Sequence, residues 1–220
     1  MTVITFDSDE PTSKRQLYVG TINTESGKTA GNSMLGLLSD KTAGTVVILG
    51  YDSTDWIDGY DRTHEARKVL ENAGFTVVIQ HTDWGDQDAN EAGILDKLSS
   101  ASPAAVGCPG VFSNSYLCAT AADAGGLTGQ IKIAAFDFEP TTLELMAEGK
   151  IQVTHVQRQY YMGYIVPYLL YAANVPGLEP TKTLIAPIML DSSRIDTGLD
   201  VVAADGVNAY NQFLDSLGTL

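Results

Sequence analysis

The sequence predicts an α/β fold in which parallel sheets carry helices on both faces. Two observations lead to this prediction. Short, continuous apolar runs bounded by Gly, Asp and Pro recur along the chain, and stretches with helical apolar spacing lie between them. Such regular alternation favours a mainly parallel sheet. The chain has 220 residues, of which 44% are hydrophobic, and this is enough for one large or two small domains with buried cores.

Eight runs have the length and composition of strands that are buried on both faces. In chain order they are residues 3–6, 16–20, 45–50, 75–80, 104–108, 132–136, 152–156 and 183–189. Helical spacing of apolar residues is clearest in a stretch expected to run over 62–73, around Ile165, Leu169 and Ala173, and from Val207 to Leu217.

The charge balance excludes two classes of partner. The chain carries 27 acidic and 13 basic residues, a net charge of −14. Nucleic acid and anionic membrane surfaces both require a basic face on the protein, so we expect neither as a partner. No apolar run approaches the roughly 18 residues that a membrane helix needs, and the opening segment MTVITFDSDE lacks the pattern of a signal peptide.

No motif in the chain supports catalysis or a bound cofactor. The segment ESGKT resembles the end of a phosphate-binding loop, but the spacing of that motif requires glycine at position 22, where the chain has Ile22. There is no G-x-S-x-G turn, and His64, His81 and His155 stand in no recognisable triad context. We therefore expect a protein that is not an enzyme, with no catalytic residues and no cofactor.

The two cysteines, Cys108 and Cys118, match no zinc or redox spacing. Buried free cysteines usually behave as small hydrophobic residues, and this is the expectation here. A disulfide between them stays open as an alternative for an oxidising compartment. The chain has no H-x-x-x-H pair and no Asp-rich loop, so we expect no metal site.

Polar and aromatic side chains follow most of the predicted strands. In open α/β sheets, ligands bind beyond the carboxyl ends of the strands. A mixture of carboxylate, amide, guanidinium and aromatic groups at these ends is typical of a site for a hydroxyl-rich ligand. Each Asp or Asn taken alone is also a common turn former or helix cap, so the prediction depends on their convergence. The candidate side chains include those of Asp7, Thr21, Asn23, Arg62, Trp84, Ser113, Asn114, Asp137 and Gln157.

Three segments resemble a known family. TFDSDEPTSKRQLYVGTINTESGKTAG is similar to a segment of periplasmic sugar-binding proteins of ABC transporters in which an Asp at a strand end leads to a G-T/S-x-N strand end and a helix. IAAFDFEPTTLELMAEGKIQVTHVQRQYYMGY resembles that family's F-D-x-x-P…Q…M-G-Y signature, and IDTGLDVVAADGVNAY its C-terminal ending. The resemblance is to the type I, ribose-binding-like group, which has two α/β lobes joined by three crossovers.

The resemblance implies site residues one position at a time. Asp7 corresponds to the Asp that hydrogen-bonds the sugar from the N-terminal lobe. Thr21 and Asn23 lie at the first crossover, and Arg62 corresponds to an Arg of the C-terminal lobe. Asp137 corresponds to an Asp that completes this part of the family's sugar-binding site.

Four further residues follow from the same resemblance. Gln157 matches the Gln that completes the family's sugar-binding site. The family has an Asn after the strand at 104–108, and since the loop CPGVFSNSY departs from that pattern, Ser113 or Asn114 takes this place. Trp84 is the expected stacking aromatic.

The resemblance also implies a division into lobes. Residues 1–21 and 158–186 would form a partial N-terminal lobe, and 22–157 with 187–220 a complete C-terminal lobe. Family chains carry a further segment ahead of the one that begins here, so we expect an N-terminally truncated member whose signal peptide lies upstream. We expect weak or no sugar affinity for the isolated chain, and self-association through the incomplete lobe is an expected consequence.

The implied function is that of the solute-binding component of an ABC-type sugar importer in the periplasm or another extracytoplasmic location. It would bind a small neutral monosaccharide between two lobes and dock on a membrane permease. The alternative is the ligand-sensing effector domain of a sugar-responsive transcription regulator, which shares this fold. A signal peptide upstream would favour transport, and a helix-turn-helix there would favour the regulator.

Overall fold

A computed structural model describes residues 1–217 of the chain. Strands and helices alternate through most of its length, as the apolar pattern predicts. The elements are β1 (Ile4–Phe6), β2 (Leu17–Gly20), α1 (Asn23–Leu37), β3 (Thr45–Gly50), α2 (Ile57–Asn72), β4 (Thr76–His81), α3 (Gln87–Ser100), β5 (Ala105–Pro109), α4 (Tyr116–Ala124), β6 (Lys132–Phe136), α5 (Pro140–Ala147), β7 (Val153–Gln157), α6 (Gln159–Asn174), α7 (Leu178–Ile185), β8 (Arg194–Asp196), β9 (Leu199–Ala203) and α8 (Val207–Leu217).

The chain divides into two compact units. Unit 1 consists of Met1–Ile22 and Gln157–Asp200, and unit 2 of Asn23–Val156 and Val201–Leu220. The chain passes between the units after Ile22, after Val156 and after Asp200, so each unit is assembled from two separate segments.

Unit 2 is built on a six-stranded sheet of order β4-β3-β5-β6-β7-β9, in which the pairs from β4 to β7 are parallel. All six residues of β3 are buried, as expected for an inner strand covered on both faces. One apolar core gathers side chains from β3, β5, β6 and the helices α3, α4 and α5. Both Cys108 and Cys118 belong to this core as buried free thiols.

Unit 1 has a three-stranded parallel sheet of order β1-β2-β8. β2 is the inner strand and is fully buried. Its Val19 packs with Ile195 of β8 and with Val166 and Leu169 of α6. Burial of one apolar stripe of α6 therefore holds this helix on the sheet.

The α/β class with parallel strands is confirmed, and seven of the predicted strands lie within one residue of the observed ones. The runs 45–50 and 132–136 coincide with β3 and β6. The strand predicted at 183–189 is wrong, because helix α7 and a 3-10 turn occupy that stretch. Gly177 before α7 and Pro180 in its first turn are the helix-start signals in this sequence, and the Thr181 hydroxyl donates to the Gly177 carbonyl oxygen across the first turn.

Strands β8 and β9 were not predicted from the apolar pattern. β8 is only three residues long and reads Arg-Ile-Asp, and β9 exposes Val201 to solvent. Their place in the sheets depends on pairing with distant strands, such as Ile195 with Val19, and a short apolar run does not encode such pairing.

Helices α1 and α2 pack closely because glycines face the contact. A Cβ added at Gly27 would collide with the backbone carbonyl of Arg62, and one added at Gly31 would lie 2.8 Å from Cβ of Val69. Only glycine allows this approach of the two helix backbones. The approach sets the position of the α2 turn that carries Arg62.

We expect Gly27→Ala to lower the free energy of unfolding by about 1–3 kcal/mol, because the added methyl must push α2 away from α1. Gly36→Ala is the matched control in the same helix, since nothing lies within 4 Å of a Cβ at that position. It should leave stability unchanged or raise it by up to about 1 kcal/mol. Urea unfolding of both variants measures the difference, and equal effects would contradict the close packing of α1 on α2.

Candidate functional site

Arg62 of α2 lies buried at the carboxyl end of the unit 2 sheet, with only 7% of its surface exposed. Its Nε and Nη2 donate to Oδ1 of Asn23 at 3.0 and 2.5 Å, and Nη1 donates to the carbonyl oxygen of Val111 at 3.0 Å. The guanidinium carbon lies 4.3 Å from the ring centroid of Phe136, which is the last residue of β6. Hydrogen bonds and a cation–π contact thus hold a buried cation in one orientation.

His155 lies next to Phe136 in the same core. Its ring lies 5.8 Å from that of Phe136. Because a carbonyl oxygen only accepts, Nδ1 carries the proton that is donated to Ala135, at 2.8 Å, and Nε2 accepts from the Ser33 hydroxyl at 2.9 Å. Burial lowers the pKa of His155 to about 4, and the nearby charge of Arg62 acts in the same direction. His155 therefore stays neutral at neutral pH and adds no second cation to the core.

Asp137 and Asp7 occupy equivalent places in the two units. Each directly follows a Phe at the end of a parallel strand, and each has a left-handed backbone with φ of 64° and 66°. The Asp137 amide donates to the His155 carbonyl at 2.8 Å, and the Asp7 amide donates to the Val19 carbonyl at 3.1 Å. A positive φ costs free energy in a residue other than glycine, and such strain concentrates at functional positions.

Side-chain hydroxyls from neighbouring strands fix both turns. The Thr154 hydroxyl donates to the carbonyl oxygen of Asp137 at 2.6 Å. In unit 1 the buried Tyr18 hydroxyl lies 2.8 Å from the carbonyl oxygen of Asp7 and 3.0 Å from that of Thr21, so its single proton is shared between these two acceptors. Tyr18 therefore ties together two of the predicted site residues, although its own position gave no signal in the sequence.

Residues 195–198 (IDTG) fix the position at which the chain first leaves unit 1, after Ile22. Oδ1 of Asp196 accepts from the Ile22 amide at 3.2 Å and from the Gly198 amide at 2.8 Å. Gly198 has φ of 71°, a left-handed backbone conformation that glycine adopts without steric cost. Arg158 donates to Asp200 from Nε and Nη2 at 2.9 and 2.6 Å, so this Arg orders the segment next to Gln157.

An aromatic cluster borders Arg62 in unit 2. The Trp56 and Phe112 rings stack at 5.0 Å, and Trp84 meets Phe112 edge-on at 5.5 Å. The Phe112 ring lies 5.7 Å from the guanidinium carbon of Arg62. Trp84 is 48% exposed, so part of its ring is available to a ligand.

The loop after β5 places Asn114 rather than Ser113 in the interior. Asn114 is 4% exposed, and its Nδ2 donates to Oε1 of Gln87 at 3.2 Å. Ser113 is partly exposed, at the first position of a 3-10 turn. The buried Ser115 hydroxyl accepts from the Phe136 amide at 3.2 Å and donates to the Phe112 carbonyl, so Ser115 braces the two aromatic residues.

Two predicted site residues have a buried oxygen without a hydrogen-bond partner among residues 1–217. They are Oδ1 of Asn114 in unit 2 and Oγ1 of Thr21 in unit 1. Leaving a buried polar atom unpaired costs about 1–3 kcal/mol, so each of these oxygens requires a water molecule or a polar group of another molecule as its partner.

Unit 2 therefore brings together most of the predicted residues. Arg62 donates hydrogen bonds to Asn23, and Asp137 directly follows Phe136, whose ring lies under the Arg62 guanidinium. Trp84 contacts Phe112 of the aromatic cluster that borders Arg62. Unit 1 contains the others, which are Asp7, Thr21 and, as the last residue of β7, Gln157. Three side chains that contact the predicted site residues gave no signal in the sequence, and they are Tyr18, Gln87 and Phe136.

In residues 1–217, no group of three or more His, Cys, Asp or Glu side chains is placed to hold a metal ion. Of the helices in the described part of the chain, none has both the length and the apolar character needed to cross a membrane.

A two-unit α/β fold with polar and aromatic residues at the strand ends defines a ligand-binding protein of the periplasmic binding type. The family model for the periplasmic binding protein domain matches residues 1–175, and the chain belongs to this family. Its members are binding proteins, among them the solute-binding proteins of sugar ABC transporters. No curated protein matches the chain in sequence.

Solved structures agree with this assignment. The arabinose-binding protein AraP from Geobacillus stearothermophilus is 26% identical, with a TM-score of 0.77 over 95% of this chain and 70% of its own. An ABC transporter solute-binding protein from Burkholderia graminis, in complex with D-arabinose, is 28% identical, with a TM-score of 0.73 over 94% and 68%. A sugar-binding protein of a sugar ABC transporter from Bacillus halodurans shares the fold at 24% identity, with a TM-score of 0.77 over 94% and 70%.

Neutral His155 makes stability depend on pH in a defined window. Its pKa is lower in the folded chain than the usual 6.5, so the unfolded chain binds the proton first and stability falls as the pH drops from 6.5 toward 4. Between pH 7 and pH 5 this one residue should cost about 2 kcal/mol. Urea unfolding of the parent and of His155→Gln at both pH values measures it. The variant should lose about 2 kcal/mol less than the parent on acidification, and an equal loss would contradict the buried neutral imidazole.

Proposed function

We propose that the chain is the solute-binding component of an ABC-type sugar importer and binds a small neutral monosaccharide without a catalytic step. The observation that carries the proposal is the buried guanidinium of Arg62, which is fixed over Phe136 next to Asp137 and the aromatic cluster of unit 2. A fixed planar donor and a carboxylate suit vicinal hydroxyls, and exposed indole suits the apolar face of a sugar ring.

The surroundings favour a neutral ligand over an anionic one. Helices α1, α2 and α3 each carry an acidic residue in the first turn, Glu25, Asp58 and Asp88 respectively. Such residues occupy the positive end of a helix, where a phosphate or carboxylate would otherwise bind. Sugar phosphates and amino acids are therefore the less suitable ligands.

We assign ligand contacts in both units. In unit 2 they are made by Asn23, Arg62, Trp84, Asp137 and, after β5, Asn114 with Ser113 beside it. In unit 1 they are made by Asp7, Thr21 and Gln157. The unpaired oxygens of Asn114 and Thr21 support their inclusion, since a sugar hydroxyl would supply the missing donor.

The proposal extends to lobes and partners. Unit 1 would be the N-terminal lobe and unit 2 the C-terminal lobe, and closure on the sugar would create the form that docks on a membrane permease. This role requires a periplasmic or otherwise extracytoplasmic location. The relatives named for arabinose binding and for a complex with D-arabinose make pentoses the first ligands to test.

The decisive variant is Asp137→Gly, because glycine accepts the left-handed backbone at this position while the carboxylate is removed. Loss of a charged hydrogen bond of about 1.5–3 kcal/mol should weaken sugar binding roughly tenfold to a hundredfold. Binding is measured on the full product of the gene, with a panel of pentoses, hexoses, amino acids and sugar phosphates. Both tryptophans of the chain, Trp56 and Trp84, lie in the aromatic cluster, so intrinsic fluorescence reports occupancy directly.

Asp40→Gly is the matched control, because it makes the same substitution at an exposed carboxylate that precedes β3, at the amino end of the strands. It should bind sugar like the parent. A response to amino acids or sugar phosphates alone would overturn the ligand class, and equal sugar affinity for Asp137→Gly and the parent would overturn the placement of the site.

A further inference from the structure

Helix α6 presents a stripe of tyrosines to solvent, and no part of the proposed sugar site includes it. Its sequence is QYYMGYIVPYLLYAAN, in which none of the 16 residues is charged. Tyrosines at 160, 161, 164, 168 and 171 are 41–70% exposed. We call these five side chains the tyrosine stripe.

The tyrosine stripe lies opposite the face that α6 uses within unit 1. The buried residues of the helix are Met162, Val166, Leu169 and Ala173. At 100° per residue they form one side of the helix, and the tyrosines form the other. The stripe is therefore not the edge of the unit 1 core but a second, separate apolar face.

Neighbouring rings of the stripe are already in contact. Tyr160 and Tyr164 stack at 5.9 Å with nearly parallel planes, and Tyr164 and Tyr168 lie 5.1 Å apart. Side chains that are ordered before association lose less conformational entropy when a partner covers them. Tyr is also among the residues that contribute most to binding energy at protein interfaces.

The area of the stripe is close to what a weak specific interface requires. Aromatic side chains bury about 150–250 Å² each, so the exposed parts of five tyrosines amount to on the order of 500 Å². Two copies that cover each other's stripe would bury about 1,000 Å², the lower limit for a specific interface. A two-fold symmetric interface uses the same patch of both copies, and an uncharged stripe meets a copy of itself without desolvating any ion.

A lipid surface is a less suitable occupant. Helices that lie on membranes usually carry Lys or Arg on their polar face. α6 has neither, and the net charge of −14 repels anionic lipid. The charge also makes two copies repel each other at long range, so salt should strengthen self-association by screening this repulsion.

We propose that the tyrosine stripe of α6 is the interface of a weak, reversible homodimer. The stripe of one chain packs against the stripe of a second copy about a two-fold axis, with Tyr164 and Tyr168 near the centre. The proposal is independent of the sugar site, because it uses a different face and predicts an assembly, not a ligand.

Sedimentation velocity of the full chain over a micromolar to high micromolar concentration series tests the proposal. The parent should shift from monomer toward dimer with rising concentration, and more so at high salt than at low salt. Tyr168→Glu places a charge at the centre of the stripe and should weaken dimerisation at least tenfold. Tyr168→Phe keeps the ring and should dimerise like the parent.

Leu184→Glu is the matched control, because it adds the same charge to a 78% exposed residue of the neighbouring helix α7. It should leave dimerisation intact, and circular dichroism confirms that all variants are folded. A parent that stays monomeric throughout, or a dimer that survives Tyr168→Glu, would overturn the proposal. Binding of a monomeric parent to phosphatidylcholine vesicles, lost in Tyr168→Glu, would instead assign the stripe to a lipid surface.

Discussion

The candidate site in unit 2 depends on the burial of a single cation. Arg62 brings together the start of α1 through Asn23, the loop after β5 through Val111 and the end of β6 through Phe136. Removing a guanidinium from water costs several kcal/mol unless its donors are met, so these three elements are restrained to the geometry that meets them. One side chain thereby links the carboxyl ends of β5 and β6 to the start of α1.

Several features of the sequence make this burial possible. Gly27 lets α1 approach the α2 backbone at Arg62 itself, which brings Asn23 within reach of the guanidinium. His155 fills the space behind Phe136 as a neutral ring, because a second buried cation next to Arg62 would be strongly unfavourable. The packing of the core and the charge state of His155 thus both accommodate Arg62. Such preorganisation is expected of a candidate binding site, because it lowers the cost of ordering side chains when a ligand binds.

The sequence predicts well what depends on local pattern. The strands at 45–50 and 132–136 follow from continuous apolar runs, and the cluster around Arg62, Asn23 and Asp137 follows from looking beyond strand ends. Other features depend on distant partners and could not be predicted in this way. β8 exists because Ile195 pairs with Val19, and Tyr18 matters because its hydroxyl reaches two carbonyls. The strand predicted at 183–189 is wrong because that prediction used only the apolar content of the stretch. Gly177 and Pro180, which mark the start of a helix, are the stronger signals here.

A crystal structure of the protein with bound D-arabinose tests the central claim most directly. Sugar hydroxyls should lie within hydrogen-bond distance of Arg62 and Asp137, with an apolar face of the ring against Trp84. Electron density for the sugar at any other place, with Arg62 and Asp137 out of its reach, would contradict the role proposed for these residues.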